Sequence, residues 1–152
     1  MKKNRLILLI FVPILAGYLV NILVVVPVVG MLLFYGLPLL ISVFWFGLGR
    51  QYVRSGWRPI PAIAFANAPG VVSLLLYLWQ FVLETDETRN MFLAGLSQMF
   101  SASTPLYLFG RLAMLFESQP NYAGRTTFVA MQVIALVYMI AVFAAGVIRE
   151  KR

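Results

Sequence analysis

Apolar residues run along this chain in long unbroken stretches separated by short polar ones, with no sustained alternation. Runs of that kind predict helices rather than the strands of a barrel. From Leu6 to Leu48 no residue is charged. As one helix that stretch would measure about 64 Å, twice the roughly 30 Å thickness of a bilayer's hydrocarbon layer. It must therefore fold back, and Asn21, Pro27 and Gly30 mark the place. The pattern predicts one helix over 6–26 and a second over 29–48, joined by a very tight turn. Pro13 and Pro38 fall inside these helices, where lipid-embedded segments tolerate proline as a kink.

A polar stretch follows at 49–60, "GRQYVRSGWRPI", read as a loop. Arg50, Arg54 and Arg58 recur every four residues, with Tyr52 and Trp57 among them. Basic side chains reach out to lipid phosphates, and amphipathic aromatics settle at headgroup level. The three arginines are the candidate anchor for anionic lipid or for a partner's acidic surface.

The third helix is expected over 61–83. Ala62, Ala66 and Gly70 are spaced by four, so their face allows close backbone approach. Asn67 lies beside that face, and Pro69 follows it. Tyr77 and Trp79 are expected at the far interface. Residues 84–90, "ETDETRN", form an acidic loop holding Glu84, Asp86 and Glu87. A second polar loop, "ESQPNYAGRT", precedes a last helix expected over 127–148, where Ala141 and Ala145 suggest another small-residue seam.

Between the two loops lies 91–116, "MFLAGLSQMFSASTPLYLFGRLAMLF". It is apolar and long enough to cross a bilayer, yet on a helical wheel Ser97, Ser101 and Thr104 share a stripe. Gln98 lies beside the stripe and Arg111 two turns further on. Pro105 disfavours helical backbone at Thr104. Two half-helices of about 17–20 Å each would suit a hairpin that enters the membrane and turns back. Asn67, Ser97, Gln98, Ser101, Thr104 and Arg111 are the candidate polar pocket or headgroup site, since an arginine near hydroxyls suits phosphate or carboxylate.

Charge orients this arrangement. Lys2, Lys3 and Arg5 open the chain, and Arg149, Lys151 and Arg152 close it. Basic residues collect on the cytoplasmic side of membrane helices. With four crossings nine of the twelve basic residues face inward, against eight with five crossings. The expectation is therefore an all-α integral membrane protein, one transmembrane domain over 1–152. It is a helical bundle of four transmembrane helices plus a membrane-embedded segment at 91–116, re-entrant or a fifth span. The first helix is read as uncleaved, both termini as cytoplasmic, and the location as the plasma (cytoplasmic) membrane.

Composition sharpens the picture. Hydrophobic residues make up 62% of the 152 and charged ones 11%, too apolar for a soluble core of this size. The net charge of +7 sits at the ends of apolar runs, not in an aromatic-interleaved surface, so nucleic acid is not expected as a partner. The chain has neither Cys nor His. Disulfides and thiol chemistry are excluded, and so is the commonest general base. The five carboxylates all fall in stretches read as loops or tails, which argues against a proton-coupled carrier and a metal site. Neither the GxSxG nor the phosphate-loop pattern occurs. The expectation is a non-enzymatic membrane component without catalytic residues or cofactors, a transport or channel-type or accessory subunit. It would assemble with itself or with a membrane protein partner among lipids that include anionic ones. The alternative is a lipid-headgroup-binding or lipid-modifying protein acting at the outer interface.

Overall fold

The computed structural model describes residues 3–117 and 123–151. The sequence features at Lys2, Pro120, Asn121 and Arg152 lie outside them. The described residues form seven α-helices and no strand: α1 Lys3–Leu9, α2 Val12–Leu23, α3 Val29–Arg54, α4 Pro59–Leu78, α5 Met91–Ala102, α6 Leu106–Ala113 and α7 Arg125–Lys151. A π-helical turn, Trp79–Leu83, extends α4, and a 3-10 turn, Met114–Phe116, extends α6. Four helical stretches are long and apolar enough to cross a membrane: Arg5–Leu23, Val29–Arg54, Pro59–Leu83 and Arg125–Lys151.

The first of these is broken. Pro13 stands at the start of α2 and cannot donate to the preceding turn, so the helix parts at Ile10 and Phe11. The carbonyl of Leu6 accepts a hydrogen bond from the Tyr52 hydroxyl at 3.1 Å, which ties α1 to α3. The return to α3 is as tight as the sequence suggests. Val29 N donates to the Pro27 carbonyl at 2.7 Å, which forces Val28 to φ 64°, a strained conformation for a β-branched residue.

α3 runs six residues beyond its expected end. Arg50 and Arg54 therefore lie on the last turns of a helix, not in a loop. Apolarity stops at Leu48, but backbone hydrogen bonding does not. α7 likewise continues to Lys151, so Glu150 sits on a helix and not in a tail. There it accepts from Arg50 Nε at 2.9 Å and from Arg54 Nε at 2.6 Å. With the Tyr52–Leu6 bond, these contacts gather the start of α1, the end of α3 and the end of α7 at one end of the bundle, its basic end.

α3 packs most extensively on α7. The closeness comes from Gly49 and Gly146, each facing the other helix's backbone. A Cβ on Gly146 would stand 2.1 Å from the Phe46 carbonyl oxygen, and one on Gly49 would stand 2.4 Å from that of Phe143. This corrects the expected seam on the last helix, because Ala141 and Ala145 are exposed. Beside the glycines Trp45 and Tyr52 each lie 5.5 Å from the Phe143 ring, and Trp57 is 5.3 Å from Tyr52. Further along, the Tyr138 hydroxyl donates to Ser42 Oγ at 2.8 Å, and Ser42 donates to the Pro38 carbonyl. On α4, Ala62, Ala66 and Gly70 are buried as the spacing suggests. Tyr77, expected at an interface, is buried instead and stacks on Phe81 at 4.6 Å.

Candidate functional site

Segment 91–116 is not one helix. α5 and α6 with its 3-10 turn hold twelve and eleven residues, about 18 and 16 Å, so neither limb alone crosses a bilayer of about 30 Å. Asn90 starts α5, its Oδ1 accepting from Phe92 N at 3.0 Å and Leu93 N at 3.1 Å. Gln80, buried at the end of α4, clasps this start. Its side-chain oxygen accepts from Asn90 N and its carbonyl from Arg89 Nε, both at 2.8 Å. Arg89 also pairs with Asp86 at 2.8 Å and lies over the Phe81 ring.

From there α5 descends between α2 and α4. Gly17 gives it room, since a Cβ there would lie 1.7 Å from the Met99 carbonyl oxygen. Ser73 Oγ on α4 donates to the Ser97 carbonyl at 2.9 Å. Phe100 reaches Gly70, which also faces Leu136. Gly70 and Leu136 lie near the midpoints of their long helices, so α5 ends at mid-bundle. The chain breaks at Ser103–Pro105 and continues as α6. There Tyr107 packs on Tyr35 at 5.0 Å and Phe109 on Tyr138 at 5.2 Å.

The stripe hydroxyls turn back on their own helix. Ser97 donates to the Ala94 carbonyl at 2.7 Å, Ser101 to Gln98 at 2.9 Å, Ser103 to Phe100 at 2.7 Å, and Thr104 to Ser101. Ser97 and Ser103 are 0% exposed, Thr104 1% and Ser101 3%. These bonds give each buried hydroxyl donor a partner within its own segment, and the Phe100 and Ser101 carbonyls also accept from Ser103 N at 3.3 Å and Thr104 N at 2.9 Å, which closes the end of α5. Gln98 is half-buried and reaches the Ala94 carbonyl at 3.4 Å.

The remaining candidates stand apart. Arg111 is exposed on α6. The break at Ser103–Pro105 takes it off the α5 stripe, which corrects its expected position two turns along the same helix. Asn67 is buried on α4 and donates to the Ile63 carbonyl at 2.9 Å, while its Oδ1 has no protein partner. Among the described residues no hydrogen bond joins Asn67 or Arg111 to the stripe. Arg50 and Arg54 are engaged by Glu150. Arg58, just before α4, is exposed and forms no ion pair among the described residues. Two contributors were not read from the sequence: Ser73 and Gln80, single uncharged polar residues inside an apolar run. Their isolation there was the available signal.

No protein-family model, no curated protein and no solved structure matches the chain.

At the acidic loop, Glu84 accepts from Thr88 Oγ1 and from Trp79 Nε1, the latter at 2.9 Å. These two bonds, Thr88's first, hold its carboxyl below the usual carboxylate range. Asp86 is turned to Arg89. Glu84 and Asp86 thus help shape the connection into α5.

Proposed function

We propose that this chain is a non-enzymatic accessory subunit of the membrane, a four-span bundle with a re-entrant hairpin at 91–116, built to pack against itself or a membrane protein partner. The observation that carries this reading is the self-pairing of the buried stripe. Ser97, Ser101, Ser103 and Thr104 bond to carbonyls of their own segment, so their donors are already engaged. The buried residues among those described include amides and hydroxyls but no acid or base. A carrier or relay would set ionisable groups there, and a nucleophile would need a base within reach. Hydroxyls already paired within their own segment serve shape rather than turnover.

The shape offers surface. The exposed residues of α2 and α3 include Leu15, Leu19, Leu32, Leu40 and Val43, suited to lipid or to another helix. Two measurements test the proposal together. In liposomes the purified chain is expected to pass neither ions nor small solutes. In native mass spectrometry from gentle detergent it is expected as a homo-oligomer or a stoichiometric complex. Solute flux, or a solitary monomer across a range of mild detergents, would overturn it.

A further inference from the structure

A groove of about 380 Å³ lies between the broken first span and α4. Ile7, Phe11 and Ile14 form one wall, Phe65 and Val72 the other, and Leu96 of α5 closes the inner end. The break at Pro13 shapes one side, and Pro69 lines the other. The lining is almost wholly apolar, and its hydroxyl, Ser73, is already bonded to the Ser97 carbonyl.

We propose that this groove binds one acyl chain of an anionic phospholipid, with the headgroup held at Arg5 and Arg58. Length is the first argument. From Phe65 to Leu76 the α4 wall spans about 16 Å, close to the depth of one leaflet in a core of about 30 Å.

The closed end is the second argument. Met99 seats against Gly17 of α2 and Phe100 against Gly70 of α4, so α5 occupies the gap between these helices from mid-bundle toward the acidic loop. A partner's spanning helix, about 10 Å across, would need that gap open through the other leaflet. A lipid tail from one leaflet ends where the groove ends.

The third argument is charge at the mouth. The groove's outer residues, Ile7 and Phe65, belong to the basic end. Phe65 stacks on Trp57 at 5.4 Å, Trp57 packs on Tyr52, and Tyr52 holds the Leu6 carbonyl. Arg5 precedes Leu6 and Arg58 follows Trp57 in the sequence, so both adjoin members of this chain of contacts. Both are exposed, and neither forms an ion pair among the described residues, whereas Glu150 occupies Arg50 and Arg54. Cations beside an apolar slot at headgroup level suit a phosphodiester with a net negative charge.

The test uses the full chain in nanodiscs that contain phosphatidylglycerol and phosphatidylcholine of matched tails, released for native mass spectrometry. The wild-type chain is expected to retain phosphatidylglycerol in preference. Val72→Trp, which fills the slot, is expected to abolish retention of both lipids, while Leu40→Trp on the outer face of α3 leaves it unchanged. Should Val72→Trp fail to fold, Ala68→Leu narrows the same slot by a smaller step and is expected to weaken retention. Arg5→Gln and Arg58→Gln are each expected to cut the preference for phosphatidylglycerol about fivefold and to leave phosphatidylcholine retention unchanged. Equal retention of the two lipids by the wild-type chain would overturn the proposal. So would full retention by a folded slot variant, or an oligomer that Val72→Trp dissociates without change in bound lipid.

Discussion

Where α3 meets α7, backbone touches backbone: Gly49 and Gly146 remove the side chains that would hold the helices apart, and rings of Trp45, Tyr52 and Phe143 fill the flanks. Where α5 enters between α2 and α4, the approach at Gly17 is as close, but the helix then ends inside the bundle, where the Phe100 and Ser101 carbonyls accept from both the amides and the hydroxyls of Ser103 and Thr104. The first region relies on shape, because both helices run through it. The second adds polar side chains at a buried helix end, where the turn's amides and hydroxyls share the Phe100 and Ser101 carbonyls. A Ser/Thr stripe in an apolar segment can therefore report a buried helix end as well as a binding site.

The largest effect is expected from the through-running pair. Gly146→Leu sets a side chain against the Phe46 backbone, which cannot yield as a flexible side chain could. The loss is expected to reach about 3 kcal/mol, the upper part of the usual overpacking range, read by thermal unfolding in detergent. An unchanged melting temperature would mean that α3 and α7 are not in contact. Next comes the broken hairpin. Ser101→Ala and Thr104→Ala each remove one buried hydroxyl hydrogen bond and are expected to cost about 0.6–1 kcal/mol, typical for polar contacts between apolar helices. Cys at Ser97, Ser101 or Thr104 is expected to stay unreactive toward a small hydrophilic thiol reagent. Rapid reaction would place water at the stripe and reverse the contrast with α3–α7.

Smaller effects lie at the two ends of the bundle. Glu150→Gln releases Arg50 and Arg54. It is expected to lower thermal stability slightly at low ionic strength and not at all in high salt, since exposed pairs are screened. Glu84 should give the smallest signal. Its carboxyl titrates below its ordinary value when the Thr88 and Trp79 bonds are made. Its contribution is therefore complete above the ordinary carboxylate value and is lost as pH falls through the lowered one. Amide protection at the start of α5, taken relative to the intrinsic exchange rate at each pH, is expected to fall on acidification in the wild-type chain. In Glu84→Gln the protection of the same region is expected not to depend on pH.

The positions of the long helices were legible because apolar runs of that length have few other solutions. The break before α6 was legible from Pro105, which acts on its immediate neighbour. Helix ends at the basic side were not. Arg50 and Arg54 were assigned to a loop because charge marks where apolarity stops, and a helix need not stop where its apolar run does. Packing faces were harder still. In a helix apolar all round, no polar stripe tells which side is buried. The sequence reading took Ala141 and Ala145 as the seam, and only the Phe46 backbone across from Gly146 shows which face of α7 is buried. The hydroxyl stripe was found, but its meaning was not, because whether Ser101 faces a ligand or its own Gln98 carbonyl depends on the helix ending there.

That ending is tested most directly by sidedness. If 91–116 enters and leaves by one face, Ser55 and Lys151 share a side and Thr88 lies opposite. The chain has no cysteine of its own, so single Cys residues at these three positions report without background. In sealed vesicles of known orientation, an impermeant thiol reagent is expected to label Ser55→Cys and Lys151→Cys from one side only and Thr88→Cys from the other. Labelling of Lys151→Cys from the same side as Thr88→Cys would mean that the segment crosses, and would contradict a hairpin that ends at mid-bundle.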